Sequence, residues 1–93
     1  MEIQQINNET KGFFKAVADE KEAGRMTYSW AGSDKFIIDH TEVNPDFKGQ
    51  GVGNQMVDVA VAYARTNGLK IIPLCPFAKS VFDKRADYRD VLA

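Results

Sequence analysis

The fold of this chain is decided by the stretch Val43-Asn44-Pro45-Asp46-Phe47-Lys48-Gly49-Gln50-Gly51-Val52-Gly53. An apolar residue is followed by turn residues, then by three evenly spaced glycines, and then by a helical pattern. Closely spaced glycines let backbone N–H groups approach an anion, because no Cβ atom stands in the way. A helix N-terminus adds unpaired N–H donors and the positive end of the helix dipole. The sequence therefore predicts a pyrophosphate site between a strand and a helix.

Two other phosphate-binding motifs do not fit this loop. A Walker loop ends in Gly-Lys-Ser/Thr, whereas Gly53 is followed by Asn54 and Gln55. A dinucleotide fingerprint needs a third glycine at position 54 and an acidic residue after the next strand, where Leu74-Cys75-Pro76 stands. The remaining alternative is a tight strand-to-helix turn that binds nothing, and the loop by itself leaves that alternative open.

The residues before the loop show strand patterns. Met26, Tyr28 and Trp30 alternate with polar residues, which is typical of a half-buried strand. Residues 35–43 predict a second strand, with Phe36, Ile38, His40 and Glu42 on one face. Residues 13–19 and, more weakly, 2–7 complete an antiparallel meander, and residues 20–24 are expected to interrupt it.

The residues after the loop predict a helix, a strand and a second helix. The helix ends at Asn67-Gly68, a strand covers residues 69–74, a short helix covers 77–85, and 88–92 could add another turn. The order β-β-β-β-α-β-α predicts an α/β (α+β) fold in a single domain, residues 1–93. The apolar face of the first helix recurs at three- and four-residue spacing and consists of Val52, Met56, Val59, Ala60, Tyr63 and Ala64.

Composition excludes several classes of function. The chain has 12 Lys and Arg against 13 Asp and Glu, for a net charge of −1, and a nucleic-acid partner would require a surplus of cations. The N-terminus has neither a basic region nor an apolar run, and no segment is long and apolar enough to span a membrane, so a cytoplasmic location is expected. One cysteine and one histidine allow no internal disulfide and argue against a metal site.

The loop and its flanking strand and helix resemble the coenzyme A signature of the GNAT superfamily of N-acetyltransferases, in which Arg/Gln-x-x-Gly-x-Gly/Ala joins a strand to a helix. The resemblance implies a minimal GNAT-like fold, acetyl-coenzyme A as the cofactor and an amine as the acetyl acceptor. It also implies that the backbone of Thr41, Glu42 and Val43 pairs with the pantetheine arm. Lys48 stands where Arg or Gln is usual and cannot form arginine's planar fork. The resemblance places the pyrophosphate on the loop made of Lys48, Gly49, Gln50, Gly51, Val52, Gly53 and Asn54.

The resemblance also shows that the usual catalytic tyrosine is missing. Cys75 and Ala78 fall on a pattern that the superfamily carries after its last shared strand, but Phe82 occupies the tyrosine position and has no proton to give. Cys75 would lie near the cofactor sulfur, where it could be a nucleophile, a proton donor or a packing residue. His40, near the end of the neighbouring strand, could activate the Cys75 thiol or be a satisfied core residue.

Two functions follow from these residues. The first is an N-acetyltransferase whose reactive centre contains Cys75 and His40. Its acceptor would be a small molecule or a protein amine, and its shallow acceptor site would be completed by a partner or by a second subunit in a homodimer. The second is a coenzyme A-binding module without efficient catalysis, in which Cys75 forms a mixed disulfide with the cofactor thiol. A domain without a ligand would leave the glycine loop unexplained.

Overall fold

A five-stranded sheet, with its strands side by side in the order in which they occur in the chain, forms the framework of the protein. The computed structural model describes residues 1–93. The first four strands pair antiparallel, and the last pairs parallel to the fourth after a helical crossover. This confirms the predicted α+β class and element order. The elements are β1 (Glu2–Asn7), β2 (Lys11–Ala18), β3 (Lys21–Trp30), β4 (Lys35–Val43), α1 (Val52–Asn67), β5 (Lys70–Pro73) and α2 (Pro76–Lys84), with 3₁₀ turns at Pro45–Phe47 and Ala86–Val91.

The hairpin between β2 and β3 is tighter than its sequence predicts. The turn consists of Asp19 and Glu20 alone, both with positive φ (52° and 63°), and Ala18 already pairs with Lys21. Such a two-residue turn matches the twist of the flanking strands. The expected interruption over residues 20–24 is therefore wrong, because charged residues after the turn form the exposed start of β3.

A single core lies on one side of the sheet. It joins strand residues such as Phe14, Met26 and Ile38 to buried residues of α1, α2 and the C-terminal turn. The rings of Tyr28 and Phe36 pack 4.9 Å apart within it, and Trp30 packs partly buried against it. We call the opposite side of the sheet, which no helix covers, the open face. Neither helix has the length and apolar content needed to cross a bilayer.

The C-terminal turn fastens α1 to β5. The Arg65 guanidinium donates to both carboxylate oxygens of Asp90, at 2.8 and 2.9 Å, and to the Asp87 carbonyl at 2.6 Å. Leu92 then forms a parallel bridge with Ile71. These contacts fix the end of α1 that lies away from the glycine loop.

Candidate active site

The two central strands part at a defined point. β4 and β5 pair from Lys35 and Lys70 up to Ile38 and Pro73, and the Cys75 N–H then donates to the Ile38 carbonyl at 3.0 Å. Beyond Ile38, β4 continues to Val43 with β3 on one side and no strand on the other. The backbone on that side is therefore free to pair with an extended ligand.

The turn after β4 is held firmly to β3. The Asn44 N–H donates to the Ala23 carbonyl at 2.8 Å, and the Asn44 amide group donates to the Glu22 carbonyl at 3.1 Å. The Asn44 side-chain oxygen also accepts from the Asp46 N–H and caps the 3₁₀ turn, whose Phe47 is buried. These bonds fix the place at which the glycine loop starts.

The glycine loop presents a row of unpaired backbone donors. Gly49 and Gly51 have positive φ values of 82° and 71°, and Gly51 is the N-cap of α1. The first intrahelical bond runs from the Gln55 N–H to the Gly51 carbonyl. No acidic residue occupies the first turn of α1 and no side chain caps Gly51, so the positive end of the helix dipole is not neutralised within that turn. The N–H groups without a protein acceptor are those of Gly49, Gly51, Val52, Gly53 and Asn54.

Gly53 has a second role that the sequence did not indicate. A Cβ atom at this position would lie 2.4 Å from the ring of Phe77, which is far inside van der Waals contact. At Gly49 and Gly51 an added Cβ would meet nothing within 4 Å. Gly53 therefore allows α2 to pack closely on α1, whereas the other two glycines serve the shape of the loop.

The Cys75 side chain is buried at the point where β4 and β5 part. It is 4% exposed and forms the N-cap of α2, where its sulfur accepts from the Ala78 N–H at 3.4 Å. Its second partner is the hydroxyl of Thr41, with Sγ and Oγ1 3.3 Å apart. The sequence had assigned only the backbone of Thr41 to the site, so this side-chain contact is new.

His40 does not pair with Cys75. Its Nε2 lies 3.0 Å from the Glu42 carboxylate, and its side chain is 64% exposed. The expectation that His40 shares a face with Phe36 and Ile38 is wrong, because β4 contains a bulge. Tyr28 pairs with Ile38, and the next residue, Thr27, pairs with His40, so Asp39 is an extra residue. The bulge turns His40 to the open face and Thr41 to the face of Cys75.

Broken alternation is the signal that could have revealed the bulge. Phe36 and Ile38 are buried, but the next residues at the same spacing, His40 and Glu42, are polar and exposed. A strand whose core-facing positions turn from apolar to polar within one step has changed register or left the core.

Neither Tyr28 nor Tyr88 replaces the missing proton donor. Phe82 is buried and packs against Tyr88, with ring centroids 5.5 Å apart. The Tyr88 hydroxyl donates to Asp58 on α1, and burial together with that carboxylate raises the pKa of Tyr88 to about 12. The hydroxyl of Tyr28 accepts a hydrogen bond from Gln5 and donates one to Asn7, both on β1 at the edge of the sheet away from the strand gap, and burial raises the pKa of Tyr28. The groups at the strand gap are therefore Thr41 and Cys75.

Comparisons with known proteins agree with this geometry. The family model described as GCN5-related N-acetyl-transferase matches residues 13–91. The solution structure of a GCN5-like candidate N-acetyltransferase from Staphylococcus aureus is 35% identical and has a TM-score of 0.73, and the match covers 99% of this chain and 87% of that one. A search of curated protein sequences gives no significant match.

More distant structures share the fold. A ribosomal-protein-alanine N-acetyltransferase from Brucella melitensis biovar Abortus 2308 has a TM-score of 0.69 at 19% identity, over 85% of this chain and 63% of that one. An aminoglycoside N-acetyltransferase solved in complex with CoA has a TM-score of 0.63 at 17% identity, over 89% and 88%. The family model and the Staphylococcus structure confirm the predicted family, and with it the prediction of an N-acetyltransferase. The chain belongs to the GCN5-related N-acetyltransferase family.

Proposed function

We propose that this protein transfers the acetyl group of acetyl-coenzyme A to an amine. The observation that carries the proposal is the set of five unpaired N–H groups at the glycine loop, next to the free edge of β4. A pyrophosphate supplies acceptors for such donors, and a pantetheine amide supplies both partners for an open strand edge. The residues present therefore fit the cofactor that the family uses.

Individual residues take distinct parts in binding. The amides of Gly49, Gly51, Val52, Gly53 and Asn54 hold the pyrophosphate, and Gln50 shapes the loop between them. The backbone of Thr41, Glu42 and Val43 pairs with the pantetheine arm. Lys48 at the entrance makes no ion pair within the protein, and neither does Lys84, which lines a groove of about 250 Å³ beside Asn54. Both cations are free to meet phosphate oxygens.

Cys75 and Thr41 provide a route for a proton to the leaving group. Because the sulfur already accepts from the Ala78 N–H, the thiol hydrogen is free to point to Thr41 Oγ1. The Thr41 hydroxyl can then donate its own hydrogen into the strand gap. Acetyl-coenzyme A, when bound, would supply the thioester; Thr41 would give its proton to the leaving sulfur and take the Cys75 proton, and the Cys75 thiolate would regain a proton from solvent after the products leave. In this role Cys75 is a proton donor, and the nucleophile is the amine itself.

His40 accepts the proton that the amine loses, and it does so on the open face, away from Thr41 and Cys75. A neutral ring that donates its Nε2–H to Glu42 leaves Nδ1 free as a proton acceptor. An amine that approaches from the open face can lose its proton to that nitrogen. Because His40 and Cys75 lie apart, the base His40 can accept the proton of the amine while the acid Cys75 supplies the proton of the departing sulfur.

The test begins with calorimetric titration of the purified protein with acetyl-coenzyme A, followed by mass measurement of the intact chain. We expect micromolar binding without a covalent adduct, and product formation with a panel of amines. An added acetyl mass that disappears in Cys75→Ala would replace the proton-donor role with a nucleophilic one. If the protein does not bind acetyl-coenzyme A, the proposal is wrong and the glycine loop is only a strand-to-helix turn.

The alternative of a redox-sensitive coenzyme A carrier is less consistent with the structure. A mixed disulfide requires a second sulfur to reach Cys75 Sγ, which is 4% exposed and enclosed by Thr41 and Ala78. Binding of acetyl-coenzyme A with no transfer to any amine would favour the alternative. Light scattering tests the expected homodimer.

A further inference from the structure

A polar-ended pocket lies on the open face, on the side of the sheet from which we expect the amine to approach. Its volume is about 310 Å³. Phe13 pairs with Ile6 on one side and with Thr27 on the other, so these three side chains form one row across β1, β2 and β3. Lys11 and Asp39 supply its charged groups, and Asn8, Gly12 and Tyr28 complete the lining. None of these residues has been given a part in cofactor binding.

The pocket borders the strand gap. Asp39 is the residue directly after Ile38, whose carbonyl receives the last bond from the β5 side. Because Asp39 is the extra residue of the bulge, its side chain turns to the open face together with that of His40. A group held at the Asp39 carboxylate is therefore next to His40, the proposed base. It also lies beside the strand gap, where the thioester end of the cofactor would enter.

Opposite charges stand at the two ends of the pocket without neutralising each other. Neither Lys11 nor Asp39 forms an ion pair. Ser29, which pairs with Lys11 across the sheet, donates its hydroxyl to Asp39 Oδ2 at 2.7 Å and leaves Oδ1 free. Two strand spacings separate β2 from β4, or about 10 Å. A small molecule that carries both an ammonium and a carboxylate can therefore bridge two side chains whose strands lie about 10 Å apart, with one hydrogen bond to each.

We propose that this pocket binds the acetyl acceptor as a zwitterion and that the acceptor is an apolar α-amino acid. The inference rests on the proposed function and narrows its substrate class. The ammonium lies at Asp39, the carboxylate at Lys11 and the apolar side chain on Ile6 and on the part of the Phe13 ring that the Arg25 guanidinium, 4.2 Å from the ring centroid, does not cover. The nitrogen forms its bond to the acetyl carbon as the C–S bond breaks. The ammonium loses two protons in total, while the departing sulfur gains one, so the net release is one proton to solvent.

Other amines match the pocket less well. An amine without a carboxylate leaves Lys11 without a partner, and the N-terminus of a peptide carries an amide at the place of the carboxylate. A charge-assisted hydrogen bond is stronger than a neutral one, so Lys11 discriminates between an acid and its amide. Asp39 acts on every amine, because it contacts the group that all of them share.

The experiment compares phenylalanine, phenylalaninamide and phenethylamine as acceptors at saturating acetyl-coenzyme A. We expect phenylalanine to have the lowest KM, and Lys11→Met to raise that KM about tenfold while the KM of phenylalaninamide stays unchanged. The matched control is Lys21→Met, which removes the same charge at the exposed start of β3. Equal KM values for phenylalanine and its amide in the original protein would overturn the proposal, as would equal effects of the two lysine variants.

A binding measurement separates this inference from the proposed function. Phenylalanine is titrated into protein saturated with coenzyme A while amide resonances are followed by NMR. Shifts at Phe13 and Thr27 that vanish in Lys11→Met support the pocket even if no acetyl transfer occurs, in which case only the proposed function fails. Absence of such shifts in a protein that does acetylate other amines would overturn the pocket and leave the proposed function intact.

Discussion

Gly49, Gly51 and Gly53 occupy one sequence motif, yet a side chain at Gly49 or Gly51 would meet a different obstacle from one at Gly53. The first two have left-handed backbone conformations with open space around them, whereas the third faces the ring of Phe77. The sequence predicted correctly that the loop needs glycines between a strand and a helix. It could not separate backbone conformation from close packing, because both select the same residue.

The conformation of Gly51 gives a test that separates strain from obstruction. An added Cβ meets no atom, so bulk alone does not close the loop. Gly51→Asn should keep the affinity for coenzyme A within about threefold, because asparagine tolerates the left-handed region. Gly51→Val should lose binding about tenfold or more, because a β-branched residue forces the loop to change shape. Calorimetry measures both, and equal affinities would contradict this account.

The contact between Thr41 and Cys75 predicts a loss of turnover without a loss of cofactor affinity. Cys75→Ala and Thr41→Val should each lower kcat about 100-fold if the pair delivers the proton. Coenzyme A affinity should stay unchanged in both variants, because neither side chain belongs to the glycine loop. Steady-state kinetics and calorimetry together provide the measurement. Full activity in both variants would reduce Cys75 to a packing residue.

At the scale of elements, the packing of α1 on α2 depends on the absence of a side chain at Gly53. Gly53→Ala places a methyl group against Phe77 and should destabilise the fold by about 1–3 kcal/mol. In the background of Phe77→Ala the same substitution should cost much less, because the ring is gone. Chemical denaturation of the original protein, the two single variants and the double variant gives the coupling free energy between the two positions. Additive effects would show that the two positions do not interact.

The strands and helices themselves were largely predictable. Alternation located β3, the 3.6-residue period located α1, and turn residues marked most boundaries. The bulge in β4 left a signal only in the polar residues His40 and Glu42 at core-facing spacing, and strict alternation misassigns every later side chain because one extra residue reverses them. The predicted Cys75–His40 pair is wrong for that reason. The sequence did not reveal the contact between Thr41 and Cys75 for the same reason.

At the scale of the whole molecule, the C-terminal turn holds α1 against β5 through charges. The hydrogen bond from Arg65 lowers the pKa of Asp90, and the hydrogen bond from Arg85 lowers the pKa of Asp87. A carboxylate with a lowered pKa stabilises the folded state above its ordinary pKa near 3.8. That stabilisation is lost as the pH falls through the lowered value.

Acid unfolding should therefore depend on Asp90. Between pH 5 and about pH 2, the melting temperature of Asp90→Asn should fall less steeply than that of the original protein, because the variant has no such carboxylate to protonate. Glu9→Gln is the control, since Glu9 is exposed and makes no ion pair. Circular dichroism at several pH values gives the slopes. Parallel slopes for all three proteins would contradict the assignment.

The bulge has a consequence for what evolution could remove from this chain. Asp39 is surplus to the ladder, since Ile38 and His40 already pair with consecutive residues of β3. A codon deletion at this position would leave Thr41 beside Cys75 and His40 on the open face. Deletion of Ile37 instead would reverse the side chains of one half of the strand relative to the other. Because the fold does not require Asp39, its retention depends on the ligand that it binds. A substitution at Asp39 would therefore change the acceptor with the least loss of stability of the fold.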